Sequence, residues 1–414
     1  MGGESLALIM SRKLNILWLK TGPLHPLDTG GKIRTYNMLR ELKKNHRVTY
    51  LALCSRDISK TITDAAEEYS HEQIWIPWEE TPKFSAQFYF DLANNFLSSL
   101  PYVISKYSSA AMATKIRELD GKFDLMICDF LTPSINLFSS AGKPTCKTLL
   151  FQHNVEAQIW KRTFENARGL KRFYFQRQWR RMFAYEKQVC ARFDAVVGVS
   201  EEDCRVMKQD YGLSNLLGAA PTGVDLSYFS SAISERKPRS LVFLGSMDWM
   251  PNIDGATYFA EEVYPRIRSQ FPDVTFSIVG RNPPPRVKQL ENIPGISVSG
   301  TVADVRPHLA SAEVMIVPLR VGGGTRIKIY EGMAAGIPIV STSIGAEGLP
   351  VTSGENIFLA DSPEDFAGAV CELLKQPALG KTIGENGRAF VQTHFSWESV
   401  TKVFERFCLD TAGR

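Results

Sequence analysis

Residues 314–340 constrain the fold more tightly than any other stretch. Val314-Met-Ile-Val317 is a short apolar, β-branched run, as a buried strand requires. Gly322, Gly323 and Gly324 follow, and three consecutive glycines cannot sit inside a strand or a helix, so the chain turns there. Thr325 is suited to be an N-cap, and a helix then runs through Arg326, Lys328 and Glu331 until Gly336 stops it, with Pro338 just beyond. Ile337-Pro-Ile-Val340 is the next strand. The loop delivers bare backbone N–H groups and a helix N-terminus to one spot, which is an anion site. Arg326 and Lys328 occupy the first turn, where a helix favours carboxylates, and that cost points to a bound anion. Glu331 is three residues after Lys328 and on the same side. It lies roughly 5–10 Å along the axis from the phosphate position, within reach of the hydroxyls of a ribose. Cradle, cations and carboxylate together describe a site for a nucleotide diphosphate.

The rest of the chain repeats the same alternation. Leu14–Leu19 is a buried strand, a glycine- and proline-containing loop follows, and Lys32–Lys44 has helical core spacing ahead of a second strand, Arg47–Leu53. This βαβ opening predicts a parallel, Rossmann-like sheet. Residues 84–118 read as mostly helical, Phe123–Cys128 and Lys147–Phe151 as strands, Trp160–Arg192 as one long helical region, and Phe193–Ser200 as a strand whose last residue caps a helix. A polar stretch over 218–240 interrupts the pattern. A second series then begins at Leu241–Gly245, with a helix over Ile253–Phe271 and strands at Val274–Val279, Ile296–Ser299, Val314–Pro318, Ile337–Val340 and Ile357–Ala360. Pro363–Lys375 and Trp397–Leu409 are helical. The expected division is 1–217, completed by 397–414, and 218–396.

At 414 residues the chain exceeds one ordinary domain. Its 44% hydrophobic and 22% charged content is that of a globular protein. A net charge of +4 is too mild to imply nucleic acid. Seven cysteines without a C-x-x-C pair read as reduced, mostly buried thiols of a cytoplasmic protein. No run reaches the ~18 apolar residues of a membrane span. The histidines lack ligand spacing, so no metal site is expected.

Other residues stand where ligands bind, at strand carboxyl ends. Gly30 and Gly31, with Arg34 one turn into the helix, form a second anion cradle. His153 ends a strand and is suited to general acid–base work or to a sugar hydroxyl, with Asn154 and Glu156 adding polar groups. Gly245 and Ser246 follow the first strand of the second series and offer phosphate contacts. Gly345 and Ala346 follow the Ile337–Val340 strand and offer backbone N–H groups. Between Trp160 and Lys187, nine Lys/Arg stand against two Glu, giving +7. That stretch fits a solvated helix with aromatics in the core, an anionic membrane surface or, with no base-reading signature, RNA.

Taken together, these features resemble the GT-B retaining glycosyltransferases of family 4, the glycogen-synthase-like group. The likeness is strongest over 241–350, in LVFLGSMDWMPN, VMIVPLRVGGGTRIKIYEGMAAGIPIVST and GAEGL. The first half adds Gly30-Gly31-x-x-Arg34 and the QHNVE strand end. The resemblance implies an α/β fold of two Rossmann-like, doubly wound domains facing a central cleft, with the C-terminal helix packing back on the first domain. It implies a nucleotide-sugar donor held mainly by the second domain and an acceptor held by the first. The implied reaction moves a sugar from a UDP-sugar, with GDP-sugar as the alternative, to an acceptor hydroxyl with retention and without metal or other cofactor. Polysaccharide or glycolipid assembly is the common setting of relatives, and a cytoplasmic enzyme, peripheral at the inner face of a membrane, is the expectation for this chain. Glu331 looks like the second acid of the family's E-x7-E pair and His153 like its donor-side histidine. Gly323 stands where the first acid is usual. The family's Arg and Lys after the first strand of the second domain are absent, and Arg326 and Lys328 are the candidates to replace them. A sugar-nucleotide epimerase and a non-catalytic sugar-nucleotide-binding subunit are the alternatives.

Overall fold

The computed structural model describes residues 12–82, 84–139, 143–230, 236–321 and 327–414. The chain divides into two compact units, one ending at Pro221 and resumed over Val400–Arg414, the other spanning Thr222–Ser399.

The first unit is built on a seven-stranded sheet in the order β3-β2-β1-β4-β5-β6-β7. Its strands are β1 (Asn15–Lys20), β2 (Arg47–Cys54), β3 (Glu72–Pro77), β4 (Leu125–Asp129), β5 (Lys147–Phe151), β6 (Ala195–Gly198) and β7 (Leu216–Ala219). Every pair is parallel. Helices α1 (Gly30–Asn45), α2 (Ala86–Leu97), α3 (Ala110–Leu119), α4 (Glu156–Asn166), α5 (Leu170–Cys190) and α6 (Glu201–Val206) connect them, with shorter helical turns between. Parallel strands covered on both faces read as continuous apolar runs, and β1, β2, β4 and β5 are buried nearly end to end.

The second unit carries a six-stranded parallel sheet in the order β10-β9-β8-β11-β12-β13. Its strands are β8 (Ser240–Leu244), β9 (Thr275–Val279), β10 (Ile296–Gly300), β11 (Val314–Val317), β12 (Ile339–Ser341) and β13 (Phe358–Leu359). Its helices include α7 (Met250–Tyr258), α8 (Tyr264–Gln270), α9 (Ile327–Ala334), α10 (Pro363–Lys375) and α11 (Pro377–His394). The last helix, α12 (Trp397–Gly413), passes from this unit into the first. There Phe404 is fully buried between Trp18 and Phe151, at ring distances of 5.9 and 4.6 Å.

Several expected elements differ in detail. The helix over 160–192 is two helices, because Gly169 adopts a positive φ of 60° that an α-helix cannot include. The helix over 253–271 contains a π turn at Phe259–Val263. Strands β3 and β7 and helix α11 were not legible from the apolar pattern, since their faces are half-exposed or mixed. By contrast, Ser200 caps α6 by accepting from the Asp203 N–H, and α10 has the bounds expected of it. All seven cysteines are buried free thiols.

Candidate functional site

In an open parallel sheet, the place where strand order reverses leaves a crevice at the strand carboxyl ends. In the first unit this point lies between β1 and β4, and the residues there are charged yet buried. Asp129, the last residue of β4, is fully buried. Its Oδ2 accepts from Lys20 Nζ at 2.7 Å, Thr35 Oγ1 at 2.6 Å and Trp18 Nε1 at 3.0 Å. His153 Nε2 stands 2.7 Å from the other oxygen, off the axis of a well-formed hydrogen bond. Burial alone would raise the Asp129 carboxyl, but Lys20 and then His153 outweigh it and hold the pKa below the usual range. Burial lowers Lys20, with Asp129 opposing.

His153 is 4% exposed and stacked 3.8 Å from the ring of Phe130. Phe130 holds a φ of 69°, a strained value for an aromatic residue. Burial pushes His153 down to about 3, so the ring is neutral at neutral pH. Arg34 Nη1 lies 3.4 Å from His153 Nδ1 and must donate, which places the ring proton on Nε2, facing Asp129. Arg34 is itself buried, its pKa lowered to about 10 by desolvation, and its Nε has no partner among the described residues.

The two glycines of α1 are not equivalent. A Cβ on Gly31 would come within 2.8 Å of the Phe130 ring, so the expected approach of a ligand to this backbone is taken by a side chain. Gly30 faces open space. Thr29 makes no side-chain cap, and the first turn of α1 has no acid, which leaves its N–H groups open to an anion.

Asn154 is exposed, and Glu156 begins α4. The N–H groups of Glu156 and Ala157 donate to Glu186, which also accepts from Gln152 Nε2 and Tyr211 Oη at 2.5 and 2.6 Å. Burial and then the Glu186 charge push Glu156 up to about 7. Glu186 was not singled out in the sequence: it is one of two acids in a basic stretch, and only the fold turns it inward.

In the second unit the order reverses between β8 and β11. Gly322, Gly323, Gly324, Thr325 and Arg326 lie outside the described residues. Lys328, in the first turn of α9, donates to Asn252 Oδ1 at 2.7 Å and lies 4.6 Å over the Phe243 ring. Asn252 in turn donates to the Ser246 carbonyl at 2.9 Å. The loops after β8 and β11 are therefore tied together through one lysine. A Cβ on Gly245 would stand 2.7 Å from the Asn252 side chain, and one on Gly280 would collide with the Gly245 carbonyl at 1.7 Å. Arg281, unremarked in the sequence although it directly follows the Gly280 strand end, brings its Nε to 2.8 Å from Ser246 Oγ. A cation thus reaches the Ser246 region from β9 rather than from the β8 loop. Burial raises the Glu331 carboxyl, with Lys328 opposing. The Gly345 N–H donates to Thr342 Oγ1 at 2.9 Å, and the Ala346 N–H to the Thr342 carbonyl at 3.1 Å, so both are engaged within their own loop. Among the described residues no group of three or more His, Cys, Asp or Glu is gathered as for a metal ion.

The comparisons agree with this architecture. Residues 29–228 match the glycosyltransferase family 4 description, and 238–376 match glycosyl transferases group 1. An uncharacterized 44.6 kDa protein of the cps region of Klebsiella pneumoniae is 24% identical over 74% of this chain and 79% of its own length. A GDP-mannose-dependent monoacylated α-(1-6)-phosphatidylinositol monomannoside mannosyltransferase of Corynebacterium glutamicum is 25% identical over 51% of this chain and 61% of its own. The crystal structure of Anabaena HepE in complex with UDP and glucose matches with a TM-score of 0.63 at 13% identity, covering 95% of this chain and 99% of that one. With two Rossmann-like parallel sheets and family matches across both units, this chain is a GT-B glycosyltransferase of family 4.

Proposed function

We propose that the enzyme transfers a sugar from a nucleotide diphosphate donor to an acceptor hydroxyl with retention of configuration, in polysaccharide, glycolipid or related glycoconjugate synthesis. A UDP-sugar is the favoured donor and a GDP-sugar the second choice. A solved neighbour holds UDP, and a sequence relative is named for GDP-mannose. The observation that carries the reading is Lys328, fixed by Asn252 at the strand-reversal point with Glu331 three residues further along the same helix.

Breaking the sugar–phosphate bond builds negative charge on the leaving diphosphate. Arg326, Lys328 and the backbone N–H groups of Gly322–Thr325 meet that charge in this proposal, without a metal ion. Lys328 is positioned for this by its 2.7 Å hydrogen bond to Asn252 Oδ1. Glu331 binds the ribose hydroxyls. Gly245 and Ser246 complete the donor side. The first unit holds the acceptor through Arg34, Asn154 and Glu156, with Gly30 offering its helix N-terminus to a phosphate. His153, neutral and held by Asp129 and Arg34, acts as a polar wall rather than as a proton acceptor. No carboxylate is assigned as a covalent nucleophile. Attack from the front face, with the departing phosphate oxygen taking the acceptor proton, fits that assignment.

A thermal-shift panel of UDP-, GDP-, ADP- and dTDP-sugars identifies the donor, because a ligand of the folded state raises Tm. With the best donor, Lys328→Ala, Arg326→Ala and Glu331→Ala should each lower turnover about tenfold or more. Near-normal turnover in all three overturns the site. Donor binding without release of nucleoside diphosphate in the presence of acceptors would favour a non-catalytic subunit. Isomerised nucleotide sugar formed without acceptor would favour an epimerase.

A further inference from the structure

Helix α2 turns an apolar face outward. Its apolar residues Ala86, Tyr89, Phe90, Ala93, Phe96 and Leu97 recur at the spacing of one helical face. In a globular unit that face should meet the core. Here all six are exposed, with Phe90 at 61% and Leu97 at 88%. The inward face is mixed: Phe88 and Leu92 are half-buried there beside Asp91 and Asn95, with the Phe88 ring 5.9 Å from that of Tyr102. Asn95 is buried and bonded to Gln178, the Leu100 carbonyl and Ser105, and Asp91 accepts from Thr81 and Gln87. The Asn95 and Thr81 bonds, with the packing of Phe88 on Tyr102, fix the rotation of the helix and leave this apolar face outward.

The surface beside it is cationic. Phe173, 60% exposed in the first turn of α5, places its ring 6.5 Å from that of Phe96. Arg177 and Arg181 donate to the Phe96 carbonyl at the end of α2, at 2.9 and 2.6 Å. Between the two helices is a depression of about 430 Å³ lined by Leu97, Phe173, Arg177, Arg180 and Arg181. Lys171, Arg172 and Arg180 are exposed around it.

From this juxtaposition of an outward apolar helix face and an arginine-rich rim, we infer that α2 and the start of α5 form a docking surface for an anionic lipid bilayer. The inference stands independently of the donor assignment. Tyr89, Phe90, Phe96, Leu97 and Phe173 enter the boundary between headgroups and acyl chains, while Lys171, Arg172 and Arg180 meet lipid phosphates. Charge selects this occupant over a second copy of the chain. A two-fold contact through this face would bring the exposed Lys171, Arg172 and Arg180 of one copy up against those of the other, whereas an anionic surface complements them. No helix among the described residues is long and apolar enough to cross a membrane, so the contact is peripheral.

The test is flotation of the full chain with vesicles of phosphatidylcholine alone or mixed with phosphatidylglycerol. The protein should float with the anionic vesicles only, and less so as salt is raised. Lys171→Gln and Arg180→Gln should each weaken partitioning roughly fivefold. The triple variant Tyr89→Ser/Phe90→Ser/Leu97→Ser should abolish it. Because these side chains are exposed, thermal melts of the variants should match the wild type. Wild-type protein that stays with the unbound fraction overturns the inference, as does flotation unchanged by the triple variant. A dimer in solution that the triple variant converts to monomer also overturns it, by assigning the face to a second copy.

Discussion

Asp129 is the residue on which the first unit's polar cluster depends. It holds Lys20, Thr35 and Trp18 and faces His153, all buried. Asp129→Asn leaves Lys20 buried without its counter-charge and should cost about 3–5 kcal/mol, read by denaturant unfolding. The pH dependence has two opposing parts. His153 is lowered to about 3 from 6.5, so the unfolded chain binds the extra proton in between. Its contribution is complete above pH 6.5 and is lost as pH falls toward 3. Glu156 is raised to about 7 from 4.5, so the folded chain holds the extra proton, and stability falls as pH rises through that window. Glu156→Gln should therefore match the wild type near pH 4.5 and exceed it by about 2 kcal/mol above pH 7; an equal difference at both ends would rule out titration as the cause. His153, Arg34 and Glu156 could be picked out in the sequence because they follow a strand end or a glycine pair. Asp129 and Glu186 could not, because an acid ending a strand or standing in a basic helix looks like any solvated acid until the fold buries it.

At the level of elements, the βαβ alternation read from the sequence survives wherever strands are fully buried. It misses β3 and β7, whose faces are mixed or half-exposed. Glycines set local geometry that the periodicity does not show. Gly169 divides α4 from α5, and Gly280 allows the ends of β8 and β9 to touch. Gly280→Ala drives a methyl group into the Gly245 carbonyl and should destabilise by about 1–3 kcal/mol, measured by equilibrium unfolding. The same displacement moves Ser246 and its partner Arg281, so donor affinity should fall with it. Helix α2 shows the limit of pattern reading most plainly. Its spacing announces an amphipathic helix, but the hydrogen bonds of Asn95 and Asp91 and the packing of Phe88 on Tyr102 decide which face looks outward.

On the scale of the whole molecule, the chain completes its first unit with its last residues. Phe404 fills the space between Trp18 and Phe151, and Glu405 stands 2.9 Å from His46 at the end of α1. Phe404→Ala should cost about 3–5 kcal/mol, seen as a lower midpoint in thermal unfolding. Helix α12 is stabilised by residues almost four hundred positions away, which no local pattern could reveal beyond its amphipathic spacing. The sequence by itself determined the parallel α/β class, the alternation of strands and helices, and the loops that reach ligand-binding ends, because those follow from short-range hydrophobic period and glycine placement. Tertiary structure alone decided which charges are buried together, which cation reaches Ser246 and which face of α2 is left outside. Those depend on burial, and burial is a property of distant segments brought into contact.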